Sequence, residues 1–175
     1  KPSQRDGFDV DVSRMDIVAA LSPATLPAIA AGENIKNIYV LAVQLKRKDY
    51  DSKSIVLLSR LIPQNILFAL QFEADTQFAV YHADRLIRSA WMPTGEAKIA
   101  LSGLSMDAVW ENIVKSIGGI EMEQGKTLTQ QIQTNEQRAK TLAQIAALAR
   151  KMASEKQPRR KREYFEIIKK LKSNL

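Results

Sequence analysis

The chain has 175 residues, 45% of them hydrophobic, and carries 26 Lys+Arg against 19 Asp+Glu for a formal net charge of +7. That length suits one domain, or a compact domain with an appendage. The absence of cysteine excludes disulfides and thiolate metal sites, and the single histidine, His82, excludes a multi-histidine centre within one chain.

Unbroken apolar runs of about five residues fall well short of the roughly 20 needed to cross a bilayer. No membrane partner is therefore expected, and a reducing cytoplasm is the simplest home. The chain opens on Lys1 rather than Met, so a segment ahead of it is expected. Charge is unevenly spread. Residues 1–124 hold 13 Lys+Arg and 15 Asp+Glu, a net of −2, whereas residues 125–175 hold 13 and 4, a net of +9. The whole basic excess sits in the last third, which points to a polyanionic partner.

Residues 1–14, polar and containing Pro2 and Gly7, read as irregular. "DIVAAL" (16–21) reads as a short strand before the Pro23 and Pro27 segment. "KNIYVLAVQL" (36–45) has the β-branched, apolar run of a strand buried on both faces. The period then changes. Ile55, Leu58 and Leu61 recur at helical spacing, Asp51 or Ser52 can cap, and Pro63 stops the helix. "NILFALQF" (65–72) and "QFAVYH" (77–82) read as a hairpin around "EADT", and "RLIRSAWMP" (85–93) as a third consecutive strand. This order predicts an α+β fold, a small mixed or antiparallel sheet with packed helices, over residues 15–122.

A further helix follows, with Ser105 at its cap and Asp107 in its first turn. Met106, Val109, Trp110, Ile113 and Ile117 form one apolar stripe, and Gly118 and Gly119 end it. Residues 126–175 read as a basic helical hairpin. Thr127 and Gln130 have capping-box spacing. Leu128, Ile132, Asn135, Ala139, Leu142, Ala146 and Ala149 then step by four and three as a coiled-coil seam, flanked by Ile145 and Met152. A polar Asn135 in that seam can fix register or oligomeric state. "SEKQ" breaks the helix, Pro158 suits a new first turn, and Tyr164, Ile168, Leu171 and Leu175 give the second arm its stripe. The seam, with Leu128, Ile132, Asn135, Leu142, Tyr164, Ile168 and Leu171 as its principal members, is a candidate assembly surface for a homodimer.

No residue set reads as catalytic, metal-binding or cofactor-binding. "GKT" (125–127) has the ending of a phosphate loop, but the pattern requires glycine where Ile120 stands, and two carboxylates precede it. Gln44 and Lys46 in "VQLKRK" (43–48) have the spacing of the strand-end acid and lysine of PD-(D/E)xK nucleases, with Gln in place of the acid. Glu33 and Asp16 are the nearest upstream acids. His82 has no triad partner at a recognisable spacing and reads as a structural hydrogen-bonder. Trp91 and Trp110 read as core.

The clearest functional signal is "EKQPRRKREYFEIIKKLKSNL" (155–175). Arg159, Arg160, Lys161 and Arg162 crowd a helix N-terminus, where the dipole disfavours cations by roughly 0.3–1 kcal/mol each. Placement against helix stability suggests an anionic ligand. These four, then Lys169, Lys170 and Lys172, are the candidate phosphate contacts for DNA or RNA.

The pieces "LSPATL" (21–26), "IYVLAVQL" (38–45), "LIPQNILFALQFE" (61–73), "WMP" (91–93), "LSGLSMDAVWENIV" (101–114) and "EKQPRRK" (155–161), in that order, resemble the bacterial domain-of-unknown-function family 4391. The resemblance covers most of the chain and is weakest before about residue 15. It implies an uncharacterised protein commonly encoded beside helicases and DNA methyltransferases of restriction or phage-defence systems. Members often carry an acid at the position of Gln44, and the resemblance supplies no catalytic residues. The expected function is a non-enzymatic, DNA-associated binding or assembly module, with a helicase or methyltransferase as protein partner. A pure assembly protein and a degenerate nuclease-like fold are the alternatives.

Overall fold

The computed structural model describes residues 10–173. Its element order is β1 (Val12–Leu21), β2 (Ile38–Leu45), α1 (Ser52–Leu61), β3 (Asn65–Phe72), β4 (Asp75–His82), β5 (Arg85–Arg88), β6 (Met92–Pro93), a 3-10 turn at Thr94–Glu96, α2 (Met106–Gly118), α3 (Leu128–Ser154) and α4 (Pro158–Lys172). The fold is α+β. By chain contacts it divides into two compact units, the first ending at Glu121 and the second beginning at Met122.

In the first unit the sheet runs β1-β2-β3-β4-β5, with β6 also paired to β4. Only β2 and β3 are parallel. Their connection is α1, held at its start by the Asp51 carboxylate, which accepts from the Lys53 N–H. One sheet face carries the core of Leu41, Val43, Leu45, Ile66, Phe68 and Leu70, closed by Ile55 of α1. Alternation sends Leu67 and Val80 to the opposite face, where α2 packs over β4 and β5. Met106, Val109, Trp110, Ile113 and Ile117 of α2 are all buried, as their spacing predicts. Gly119 caps this helix at φ 56°, a left-handed conformation that glycine adopts without a side-chain penalty.

Three elements differ from expectation. β1 starts at Val12, so residues 12–14 of the supposed irregular segment are strand, while residues 1–9 lie outside the described residues. As an edge strand it buries neither face fully: polar Ser13 and Arg14 are exposed, which hides its start in the sequence, and Ile17 and Val18 further along are exposed as well. The hairpin after β3 turns on Glu73 and Ala74 alone, so β4 begins two residues early, at Asp75.

The supposed strand 85–93 is two pieces. At Ser89 the side chain replaces a ladder carbonyl, its Oγ accepting from the Phe78 N–H at 3.0 Å, and the chain bulges before β6 resumes pairing.

The loop between β1 and β2 is fastened to the start of α2. Ala30 bridges Ser105, and the Asp107 carboxylate accepts from the backbone N–H groups of Glu33, Asn34 and Ile35. Burial acts to raise the Asp107 pKa, but the three N–H donors prevail and hold it below its ordinary value. Gly32 makes this wrap possible, because a Cβ there would lie 2.5 Å from the Asp107 Oδ1.

In the second unit α3 and α4 pack on each other across the short link 155–157. The Thr127–Gln130 capping box is formed on both sides.

Candidate nucleic-acid interface

Helix α4 begins at Pro158 with no side-chain cap. Glu155 supplies the anion at this N-terminus instead, its carboxylate accepting from the Lys156 and Gln157 N–H groups at 2.9 and 3.0 Å. The Gln157 N–H chiefly holds its pKa below the usual value against burial, with help from Lys156, Arg160 and Lys161.

All seven candidate phosphate contacts, Arg159, Arg160, Lys161, Arg162, Lys169, Lys170 and Lys172, are exposed. They do not share one face. At about 100° per residue, Lys161, Arg162, Lys169 and Lys172 fall within an arc of about 100°. Arg159, Arg160 and Lys170 lie on the other exposed face, together with Glu163 and Glu166. There Arg159 pairs with Glu163 at 3.4 Å, and Arg160 approaches Glu155 at 3.9 Å. Lys161, Arg162, Lys169, Lys170 and Lys172 have no ion-pair partner among the described residues; Lys170 shares its face with Glu163 and Glu166, whereas no acid of α4 stands on the arc of the other four.

The third face holds half-buried Tyr164 and Leu171 and buried Ile168. Leu175, the last member of the expected stripe, lies outside the described residues.

On α3 the expected seam is followed only in part. Leu128 and Ile132 are buried, but Asn135, Ala139, Leu142 and Ala146 are exposed, Leu142 by 55%. Burial instead follows Ile145, with Thr141, Leu148 and Met152 half-buried. The cause is geometric. The 15 residues of α4 span about 22 Å against about 40 Å for the 27 of α3, and a 3.5-residue seam drifts around a straight helix.

Asn135 does not sit in a helix–helix seam. Its Oδ1 accepts from the Nε2 of buried Gln131 at 2.9 Å. Gln131 also accepts the Glu123 N–H through Oε1. Glu123 in turn pairs with Lys126 at 2.7 Å and Arg138 at 2.6 Å. The Lys126 hydrogen bond, followed by those from Gln131 and Arg138, lowers the Glu123 pKa to about 2. Sequence reasoning missed this hub, whose one visible signal is a glutamate four residues before the Thr127 cap. It also accounts for "GKT": Lys126 is engaged by Glu123, and Thr127 is the cap of α3.

The other motifs resolve as structural parts. The Trp110 Nε1–H donates to His82 Nδ1 at 3.2 Å. Trp91 packs against the sheet core beneath Lys48, whose Nζ lies 5.4 Å from the ring centroid. Gln44 pairs in register with Arg14 and Gln71, Lys46 is exposed at the strand end, and Glu33 lies in the loop bound to Asp107. Asp16, the other upstream acid, forms an ion pair with Arg14 at 2.6 Å. Among the described residues no group of three or more His, Asp or Glu is placed to hold a metal ion. No helix among them is long and apolar enough to cross a membrane.

Over residues 1–175 the sequence matches the family model described as Domain of unknown function (DUF4391). No curated protein and no solved structure matches it.

Proposed function

The chain belongs to the DUF4391 family, and from that premise we propose that it is a non-enzymatic, cytoplasmic accessory module of a bacterial restriction or phage-defence system. In this reading the helical hairpin holds nucleic-acid backbone, and the sheet unit docks a protein such as a helicase or methyltransferase.

One observation carries the proposal: Lys161, Arg162, Lys169 and Lys172 of α4 are exposed on an arc of that helix that holds no acid, and none of them makes an ion pair among the described residues. An ion-paired surface gains little by meeting phosphate. Lys161, Arg162, Lys169 and Lys172 displace no partner when they do so, and each phosphate neutralised releases counterions. Such contacts give affinity without reading base sequence.

Polarisation binding of labelled duplex and single-stranded DNA tests this, comparing the intact chain with a variant having Lys161, Arg162, Lys169 and Lys172 all changed to Ala. Binding by the intact chain that the variant loses supports the reading. Equal, weak signals from both proteins refute it.

A second reading, assembly of copies through the hairpin, is favoured by one fact: Leu142, in the expected seam, is exposed. It requires an oligomer whose population grows with concentration and is lost in Leu142→Asp, measured by sedimentation velocity.

A further inference from the structure

We infer that α4 carries a stacking site for single-stranded nucleic acid centred on Phe165. The inference rests on the nucleic-acid reading above and names the ligand class and the contact that would select it.

Lys161, Phe165, Lys169 and Lys172 are spaced by four, four and three residues. They therefore stand in one line along the helix, with Arg162 beside them. Phe165 is 54% exposed on this line; Ile167, exposed by 45%, lies on the far side of the helix, and Tyr164, Ile168 and Leu171 are buried or half-buried. Phe165 is the single aromatic ring among these cations, and a ligand that covers it removes apolar area from water.

Charge and shape select the occupant. Four exposed cations without described ion-pair partners suit a polyanion, and one flat aromatic surface between them suits a base whose phosphates lie on either side. A duplex keeps its bases stacked inside and offers Phe165 no exposed face, whereas a single strand does. From Lys161 to Lys172 the line is about 16 Å long, the rise of about five stacked nucleotides at about 3.4 Å each. A lipid surface fits less well. Interfacial helices insert a broad apolar face, and here Phe165 is the one large apolar residue on the basic arc.

The test measures affinity of the full chain for labelled oligo(dT) and for a duplex of equal length. Phe165→Ala is expected to weaken oligo(dT) binding about 5- to 150-fold, the range for one lost base stack. The duplex affinity and the salt dependence of both should stay unchanged, because no charge is removed. Phe165→Trp should restore the single-strand affinity.

If Phe165→Ala binds oligo(dT) as well as the intact chain does, while changing Lys161, Arg162, Lys169 and Lys172 to Ala abolishes binding, the stacking site is overturned and the nucleic-acid reading stands. If the intact chain binds neither oligonucleotide, both are overturned. Phe165-dependent binding to phosphatidylserine vesicles without oligonucleotide binding would overturn both in favour of a membrane surface.

Discussion

Trp110 and His82 are joined by a hydrogen bond from the indole N–H to the imidazole Nδ1 at 3.2 Å, with the rings tilted by 60°. The bond ties α2 to the end of β4 and fixes the histidine chemically. Nδ1 can accept only while unprotonated, so the neutral ring carries its proton on Nε2. Burial pushes the His82 pKa below its ordinary value, and Glu111 opposes this less strongly.

A pH dependence follows from this pair. A lowered folded-state pKa means that the unfolded chain binds the proton more readily. The stabilisation is therefore complete above the unfolded value of about 6.5 and declines as pH falls below it. Because His82 is the only histidine, urea midpoints between about pH 7 and about pH 5.5 should fall in the native chain. They should stay flat in His82→Gln. The same slope in both would remove His82 as its source.

The β4–β5 turn offers a stabilising change. Its two residues, Ala83 and Asp84, have φ of 50° and 60°, and neither is glycine. Left-handed backbone costs a residue with a Cβ about 1–2 kcal/mol, and glycine's larger unfolded-state entropy returns part of that gain. Ala83→Gly is predicted to raise unfolding free energy by about 0.5–1 kcal/mol, read from the denaturant midpoint at constant slope.

Core truncation supplies the opposite sign. Phe68 is fully buried in the centre of the sheet, in the cluster beneath α1. Phe68→Ala should cost about 3–5 kcal/mol through lost transfer energy and the cavity left behind. A loss below about 1 kcal/mol in chemical unfolding would contradict that placement.

Glu123 sets the acid limit of the second unit. Its pKa is lowered from 4.5 to about 2 by Lys126, Gln131 and Arg138. Its contribution is therefore present above about pH 4.5 and is lost as pH falls towards 2. Glu123→Gln should remove this part of the acid transition and lower stability at neutral pH. Helicity followed by circular dichroism from about pH 6 to about pH 2 reads both effects.

Elements that bury a single face were legible in sequence. The α2 stripe, the Asp51 and Ser105 caps and the Thr127–Gln130 box are each fixed by residues within a few positions of one another. What was not legible depends on distant partners. β1 was read over residues 16–21 alone, and its first residues were missed because Ser13 and Arg14 are polar and exposed on an edge strand. The break after β5 depends on the Ser89 side chain entering the ladder opposite Phe78. Asp107 reads as a dipole partner, yet it also gathers three N–H groups from more than 70 positions away.

At the candidate site, the basic run was visible as composition. Its division into a face that carries acids and an acid-free face appears only when Glu163, Glu166 and the cations are placed on the helix, with Glu155 just ahead of it.

That division is tested most directly by the salt dependence of duplex affinity, measured between about 50 and about 200 mM salt for three proteins. With four phosphates engaged, the intact chain should show a log–log slope of about −3.6. Changing Arg159, Arg160 and Lys170 to Ala should leave most of that slope. Changing Lys161, Arg162, Lys169 and Lys172 to Ala should bring it close to zero. A slope near zero in the intact chain, or equal losses from the two variants, would contradict an acid-free face that binds phosphate.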